Sequence, residues 1–129
     1  TAVYAEWLLL THSIAYDRLP AYLVALDLWS PAHGFVPVEE RNTRCAAVGL
    51  PIPPELWRGR ASSGADLEAR LGPSAYGNDM AEGLVVRAVD GRPPRVAKLL
   101  RGGFDRIDDD AWRRGRPHNQ LVVGATSWR

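Results

Sequence analysis

Four charged residues stand in apolar company. Glu6 lies within Val3-Tyr4-Ala5-Glu6-Trp7-Leu8, Asp27 within Val24-Ala25-Leu26-Asp27-Leu28-Trp29, and Lys98 within Val96-Ala97-Lys98-Leu99-Leu100, while Glu82 heads Gly83-Leu84-Val85-Val86. Taking an ion out of water costs several kcal/mol unless it is paired or meets a ligand. Three carboxylates brought together could hold a divalent cation or ribose hydroxyls, and a lysine could neutralise a phosphate. Magnesium suits such oxygen ligands beside phosphate. Each residue alone has a plainer reading as a strand side chain facing water, and spacing does not choose between the two.

Positioning these residues falls to short strands and a few helices. Ala2 to Leu10 reads as a strand, and Ala21 to Trp29 as a buried one interrupted by Asp27. Pro37 to Val48 reads as a helix, with Glu39 and Glu40 in its first turn and Gly49 at its stop. Pro51, Pro53 and Pro54 predict an extended linker into a short strand, Glu55 to Trp57. Ser62 or Ser63 can cap a second helix, Gly64 to Leu71. Leu84 to Val89 and Arg95 to Leu100 flank Asp90-Gly91, a strong hairpin signal, with Pro93 and Pro94 lengthening the tip. A polar tail carrying Arg106, Arg113, Arg114 and Arg116 ends in the apolar run Leu121 to Val123. Parallel crossovers are not evident. The expected class is α+β, mainly antiparallel sheet with two or three helices.

Bulk properties set limits. The chain has 129 residues and a formal charge of +1, so a phosphate-rich partner needs a local cationic cluster rather than an overall basic field. Lys98 is the only lysine, so any chemistry needing an amine uses it or comes from elsewhere. Cys45 is alone, which excludes a disulfide framework and suggests a buried structural thiol. No apolar run reaches the ~20 residues that span a bilayer, and neither a membrane partner nor a secretory leader is expected; the cytoplasm is the expected compartment.

The ordered set of strand motifs carries a resemblance. Val3-Tyr4-Ala5-Glu6-Trp7 resembles motif III of the covalent nucleotidyltransferases, the superfamily of ATP-dependent ligases and capping enzymes. Val24 to Trp29 resembles motif IIIa, Ala81-Glu82-Gly83-Leu84-Val85-Val86-Arg87 resembles motif IV, and Arg95-Val96-Ala97-Lys98-Leu99-Leu100 resembles motif V. His12-Ser13-Ile14-Ala15-Tyr16-Asp17-Arg18-Leu19-Pro20 and Ser74-Ala75-Tyr76-Gly77 are similar to the bacterial RNA ligase branch, and Ala111-Trp112 and His118-Asn119-Gln120-Leu121 more loosely so.

The resemblance implies a partial adenylation domain over 1–101, with 102–129 as a C-terminal extension of it. It implies an ATP-dependent RNA ligase that joins a 5′-phosphate to a 3′-hydroxyl through enzyme-AMP and RNA-adenylate intermediates, with ATP and Mg2+ or Mn2+ as cofactors. Glu6 would contact the ATP ribose or organise the site, Asp27 would sit in the strand lining the nucleotide pocket, Glu82 would help bind the metal, and Lys98 would contact the phosphates, with Arg87 or Arg95 sharing that charge. Lys98 and Glu82 are thereby the catalytic candidates. Departures accompany it. The nucleophilic Lys-x-Asp/Asn-Gly of motif I is absent, and is expected in sequence before Thr1; the 129 residues alone are expected to be inactive. Ala5 replaces a frequent glycine. Leu26 stands where an aromatic often stacks on adenine, and alternation puts Trp29 on the opposite face from it. Val96 replaces a frequent second lysine. A catalytically inactive ligase-like module that binds nucleotide or RNA is the other expectation. His12, His33 and His118 lack metal-ligand spacing. Trp112 and the tail arginines could meet an RNA backbone, against the plainer reading of a solvated tail.

Overall fold

A computed structural model describes residues 1–88, 95–103 and 115–125. Strand β1 (Ala2–Trp7) pairs antiparallel with β2 (Leu23–Ser30), which pairs antiparallel with the two-residue β3 (Gly34–Phe35). Helices α1 (Val38–Ala47) and α2 (Gly64–Glu68) follow, and β4 (Gly83–Ala88) and β5 (Arg95–Leu100) form a separate antiparallel ribbon. The class is therefore α+β with antiparallel sheets and two helices.

The ends of these elements follow local chemistry. Helix α1 begins after Pro37 and stops in a Schellman arrangement: Gly49 takes φ +66°, its N–H donates to the Ala46 carbonyl, and the Leu50 N–H donates to the Cys45 carbonyl. Leu50 then packs beside Cys45 in a core formed by Ala25, Leu28, Val36 and Cys45, with Ile52 alongside. That core seats α1 on one face of β2. The proline-rich linker runs past β2, where the Ala25 N–H donates to the Pro51 carbonyl at 2.8 Å. Ser63, rather than Ser62, caps α2 by accepting from the Asp66 N–H, and the Asp66 carboxylate accepts in turn from the Ser62 N–H.

Several expectations need correction. Glu55 to Trp57 forms no strand; its side chains turn to local pairs instead, with Arg58 bound to Glu55 and Glu39 and Arg70 stacked 4.0 Å from the Trp57 ring. The first strand ends at Trp7, and Leu10 makes only an isolated bridge to His118. The second starts at Leu23, and α2 ends at Glu68 rather than Leu71. Strand β3 had no sequence signal beyond Gly34, whose φ of +71° closes the turn. Arg116 is not part of a solvated tail: it is half-buried and donates to the Thr11 and His12 carbonyls. Its neighbour Asn119 is buried, accepts from Thr11 Oγ1 and the Tyr16 N–H, and donates to the Leu8 and Leu10 carbonyls. Arg106, Trp112, Arg113, Arg114 and the Asp90-Gly91 turn lie outside the described residues. Among the described residues no helix is long and apolar enough to cross a membrane.

The ribbon depends on Gly83. Gly83 opposes Leu100, and a Cβ there would lie 2.1 Å from the Leu99 carbonyl oxygen. Backbone cannot yield as a flexible side chain does, so Gly83→Ala is expected to cost about 1–3 kcal/mol, the range for overpacking a fitted site. The urea unfolding midpoint measures this, and an unchanged midpoint would contradict it.

Candidate functional site

A β-bulge builds the site. Tyr4 faces Asp27, yet the next residue, Ala5, faces Ala25, so Leu26 is the extra residue on β2. In a regular strand Leu26 and Asp27 would point to opposite faces. The bulge turns both to the same side, while Ala25 and Leu28 flank them and face the α1 core. The ribbon lies over this side. Alternation on β4 and β5 directs Val85 and Arg87, and their cross-strand partners Lys98 and Val96, toward it.

The result is an open cleft of about 270 Å³ lined by Tyr4, Leu26, Asp27, Phe35, Val85, Arg87, Val96, Ala97 and Lys98. This is near the lower end of the roughly 300–1,000 Å³ typical of ligand sites. Tyr4 and Phe35 make an aromatic wall, their ring centroids 5.5 Å apart. Neither ring was singled out from the sequence. Phe35 sits on the two-residue β3, which carries no periodicity, and Tyr4 reads as an ordinary strand residue. The bulge also corrects the parity of Trp29: it pairs with the cleft-lining Phe35 and shares the face of Asp27 and Leu26, although it does not itself line the cleft.

Two ion pairs bear on the cleft, and they differ in kind; Asp27, Arg87 and Lys98 line it, and Glu82 stands outside the lining. Arg87 Nη1 donates to both Asp27 carboxylate oxygens at 2.7 and 2.8 Å, and Nη2 donates to the Leu26 carbonyl at 2.9 Å. These side chains are only 15% and 16% exposed. Lys98 Nζ donates to Glu82 at 2.6 Å, with exposures of 44% and 33%. An exposed pair contributes about 0–1 kcal/mol and is readily exchanged for a better ligand, whereas breaking a shielded one leaves a desolvated charge behind. Asp27–Arg87 therefore acts as a strut, and Lys98–Glu82 as an exchangeable pair.

The remaining candidates fall around this centre. Glu6 lies on the exposed β1, outside the cleft lining. It does share a neighbour with Glu82. Tyr16 packs edge-on against Tyr76, and its phenol is pushed up to about 12, first by burial, then by the negative charges of Glu82 and Glu6. Arg95 is exposed and not part of the lining. The three carboxylates do not make one metal cage. Asp27 is committed to Arg87 and Glu82 to Lys98, and among the described residues no group of three or more His, Cys, Asp or Glu is placed to hold a metal ion. His12, His33 and His118 form no such group either.

Comparison with known proteins adds to this geometry. The profile of the RNA ligase family matches residues 1–100, from β1 through the end of β5. The chain belongs to the RNA ligase family. No curated protein and no solved structure matches it. In this RNA ligase family member, the matched span contains every residue lining the cleft.

The strut is testable by stability. Asp27→Asn leaves the Arg87 guanidinium shielded and without a counter-charge, and is expected to cost about 2–3 kcal/mol, below the full value for a wholly buried pair. The double variant Asp27→Asn/Arg87→Met should cost clearly less than the two single changes added together. Additive losses in chemical unfolding would show that the pair is not coupled.

Proposed function

We propose that the cleft is the nucleotide pocket of an ATP-dependent RNA ligase, and that this chain supplies its walls. The observation that supports it most is the meeting of Asp27–Arg87, Lys98 and the Tyr4–Phe35 wall at one cleft in a member of the RNA ligase family, with Glu82 held to Lys98 just outside the lining. An aromatic and aliphatic wall suits a nucleobase, and adjacent cations suit a triphosphate. In this reading Phe35 and Tyr4 take the stacking part that Leu26 cannot. Lys98 leaves Glu82 for the phosphates and neutralises the charge that grows as pyrophosphate departs.

The residues present fit a magnesium ion only in part. Glu82, freed from Lys98, would offer one carboxylate, and phosphate oxygens and water would complete the shell. Bound there, the ion would shield charge on the transferring phosphoryl group. Glu6 and Arg95 are assigned nearby contacts with ribose and phosphate as the rest of the ligand extends beyond the 270 Å³ cleft.

The covalent step needs a lysine amine that attacks the α-phosphorus, forming a P–N bond as the bond to pyrophosphate breaks. Lys98 is followed by Leu99-Leu100-Arg101, not by the pattern of that nucleophile, and it is the chain's only lysine. The reading therefore assigns the nucleophile to a residue outside these 129, and AMP then passes to an RNA 5′-phosphate before a 3′-hydroxyl displaces it. The same missing lysine also favours a second reading, a ligase-like module that binds nucleotide or RNA without catalysis.

Incubation with radiolabelled ATP and magnesium tests the pocket. The chain is expected to bind ATP without forming a covalent adenylate, and Phe35→Ala to weaken binding by about tenfold, as loss of a base-stacking ring does. Failure to bind ATP, or label attached to Lys98, would overturn the reading.

A further inference from the structure

Arg41 of α1 lines no part of the cleft, yet it grips the strand segment that shapes it. It is buried, at 6% exposure. Its Nη1 donates to the Leu26 carbonyl at 2.8 Å, the same bulge carbonyl that accepts from Arg87 Nη2 at 2.9 Å. Its Nε and Nη2 donate to Asn42 Oδ1 at 3.0 and 2.8 Å. These hydrogen-bond partners are neutral, and among the described residues Arg41 forms no salt bridge, although it feels Asp27 at longer range. Asp27 already serves Arg87. Two guanidinium groups thus meet at the bulge, where Asp27 is the one carboxylate hydrogen-bonded to either; Glu39 also acts on Arg41 but as the smallest influence, and it is paired with Arg58, so positive charge predominates beneath the cleft. Burial, followed by the nearby Arg87 charge, holds Arg41 below its ordinary range, and Asp27 opposes that shift, so the three groups lie within electrostatic reach of one another. Arginine stays protonated in proteins even so.

We propose that Arg41 is a positioning residue of the nucleotide site: it fixes the Leu26 bulge and supplies, from behind the strand, a positive field that draws polyphosphate into the cleft. This rests on the nucleotide reading above. A charge held in low dielectric acts over a longer distance than one in water, so it need not touch its target. The field discriminates by charge. It favours an anionic ligand and leaves an uncharged one almost unaffected.

Asn42→Asp tests this with little change of shape. The new carboxylate keeps both hydrogen bonds from Arg41 and gives that guanidinium a counter-charge of its own, cancelling the excess. Arg41→Met removes the charge outright, and Arg41→Lys restores it without the forked geometry. Binding of inorganic tripolyphosphate and of adenosine is measured by calorimetry on the 129-residue protein, with thermal melting recorded for each variant. Asn42→Asp is expected to keep the melting temperature and the adenosine affinity while tripolyphosphate binding falls by about tenfold, the size of one charge interaction at intermediate dielectric. Arg41→Met should weaken tripolyphosphate binding at least as much and also lower the melting temperature, because the Leu26 carbonyl loses a buried donor, and Arg41→Lys should recover part of the tripolyphosphate binding. Unchanged tripolyphosphate binding in Asn42→Asp, or equal losses for adenosine and tripolyphosphate, would overturn the proposal while leaving the nucleotide pocket standing. An unmodified protein that binds neither probe would remove the nucleotide reading and this assignment with it.

Discussion

The site depends on one side chain that crosses from one sheet to the other. Arg87 projects from the β4–β5 ribbon and ends on Asp27 and the Leu26 carbonyl of the three-stranded sheet. Among the described residues the two sheets share no strand pairing. The two-stranded ribbon is too small to be stable alone, whereas the three-stranded sheet packs on α1. Their opposition across the cleft therefore relies on this shielded ion pair and on the backbone bonds from Asp17 and Arg18 to the Tyr76 carbonyl. Arg87 joins the two sheets directly at the cleft.

A division of labour follows from exposure. The shielded Asp27–Arg87 pair is costly to break and sets geometry. The solvent-exposed Lys98–Glu82 pair is cheap to break, which is what a group that must change partners requires. The ribbon places the two kinds close together on one face: Arg87 lies two positions along β4 from Val85, the cross-strand partner of Lys98.

Much of this was legible in the amino-acid sequence because local chemistry dictated it. The alternating and apolar runs predicted β1, β2 and the ribbon, and Glu39, Glu40 and Gly49 bounded α1. The family resemblance, rather than spacing, implies that Glu6, Asp27, Glu82 and Lys98 converge on one pocket; Asp27 and Lys98 line the cleft, whereas Glu6 and Glu82 stand outside its lining. What stayed hidden depends on register. The Leu26 bulge has no signature in composition, and it decides both which way Asp27 points and on which face Trp29 lies. The same is true of Phe35, held on a strand of two residues, and of Arg41, a helix arginine that reads as solvated until its tertiary acceptor is known. Glu55 to Trp57 resembles a strand in its apolar, proline-flanked residues, yet among the described residues it pairs with no strand.

The central claim is that this cleft receives a nucleotide by exchanging one ion pair while keeping the other. A crystal structure with a non-hydrolysable ATP analogue and magnesium tests it most directly. The account predicts the base against Tyr4 and Phe35, Lys98 Nζ moved from Glu82 to a phosphate oxygen, and Arg87 still on Asp27. A nucleotide bound on another surface, or one in the cleft with Lys98 still held by Glu82, would contradict it.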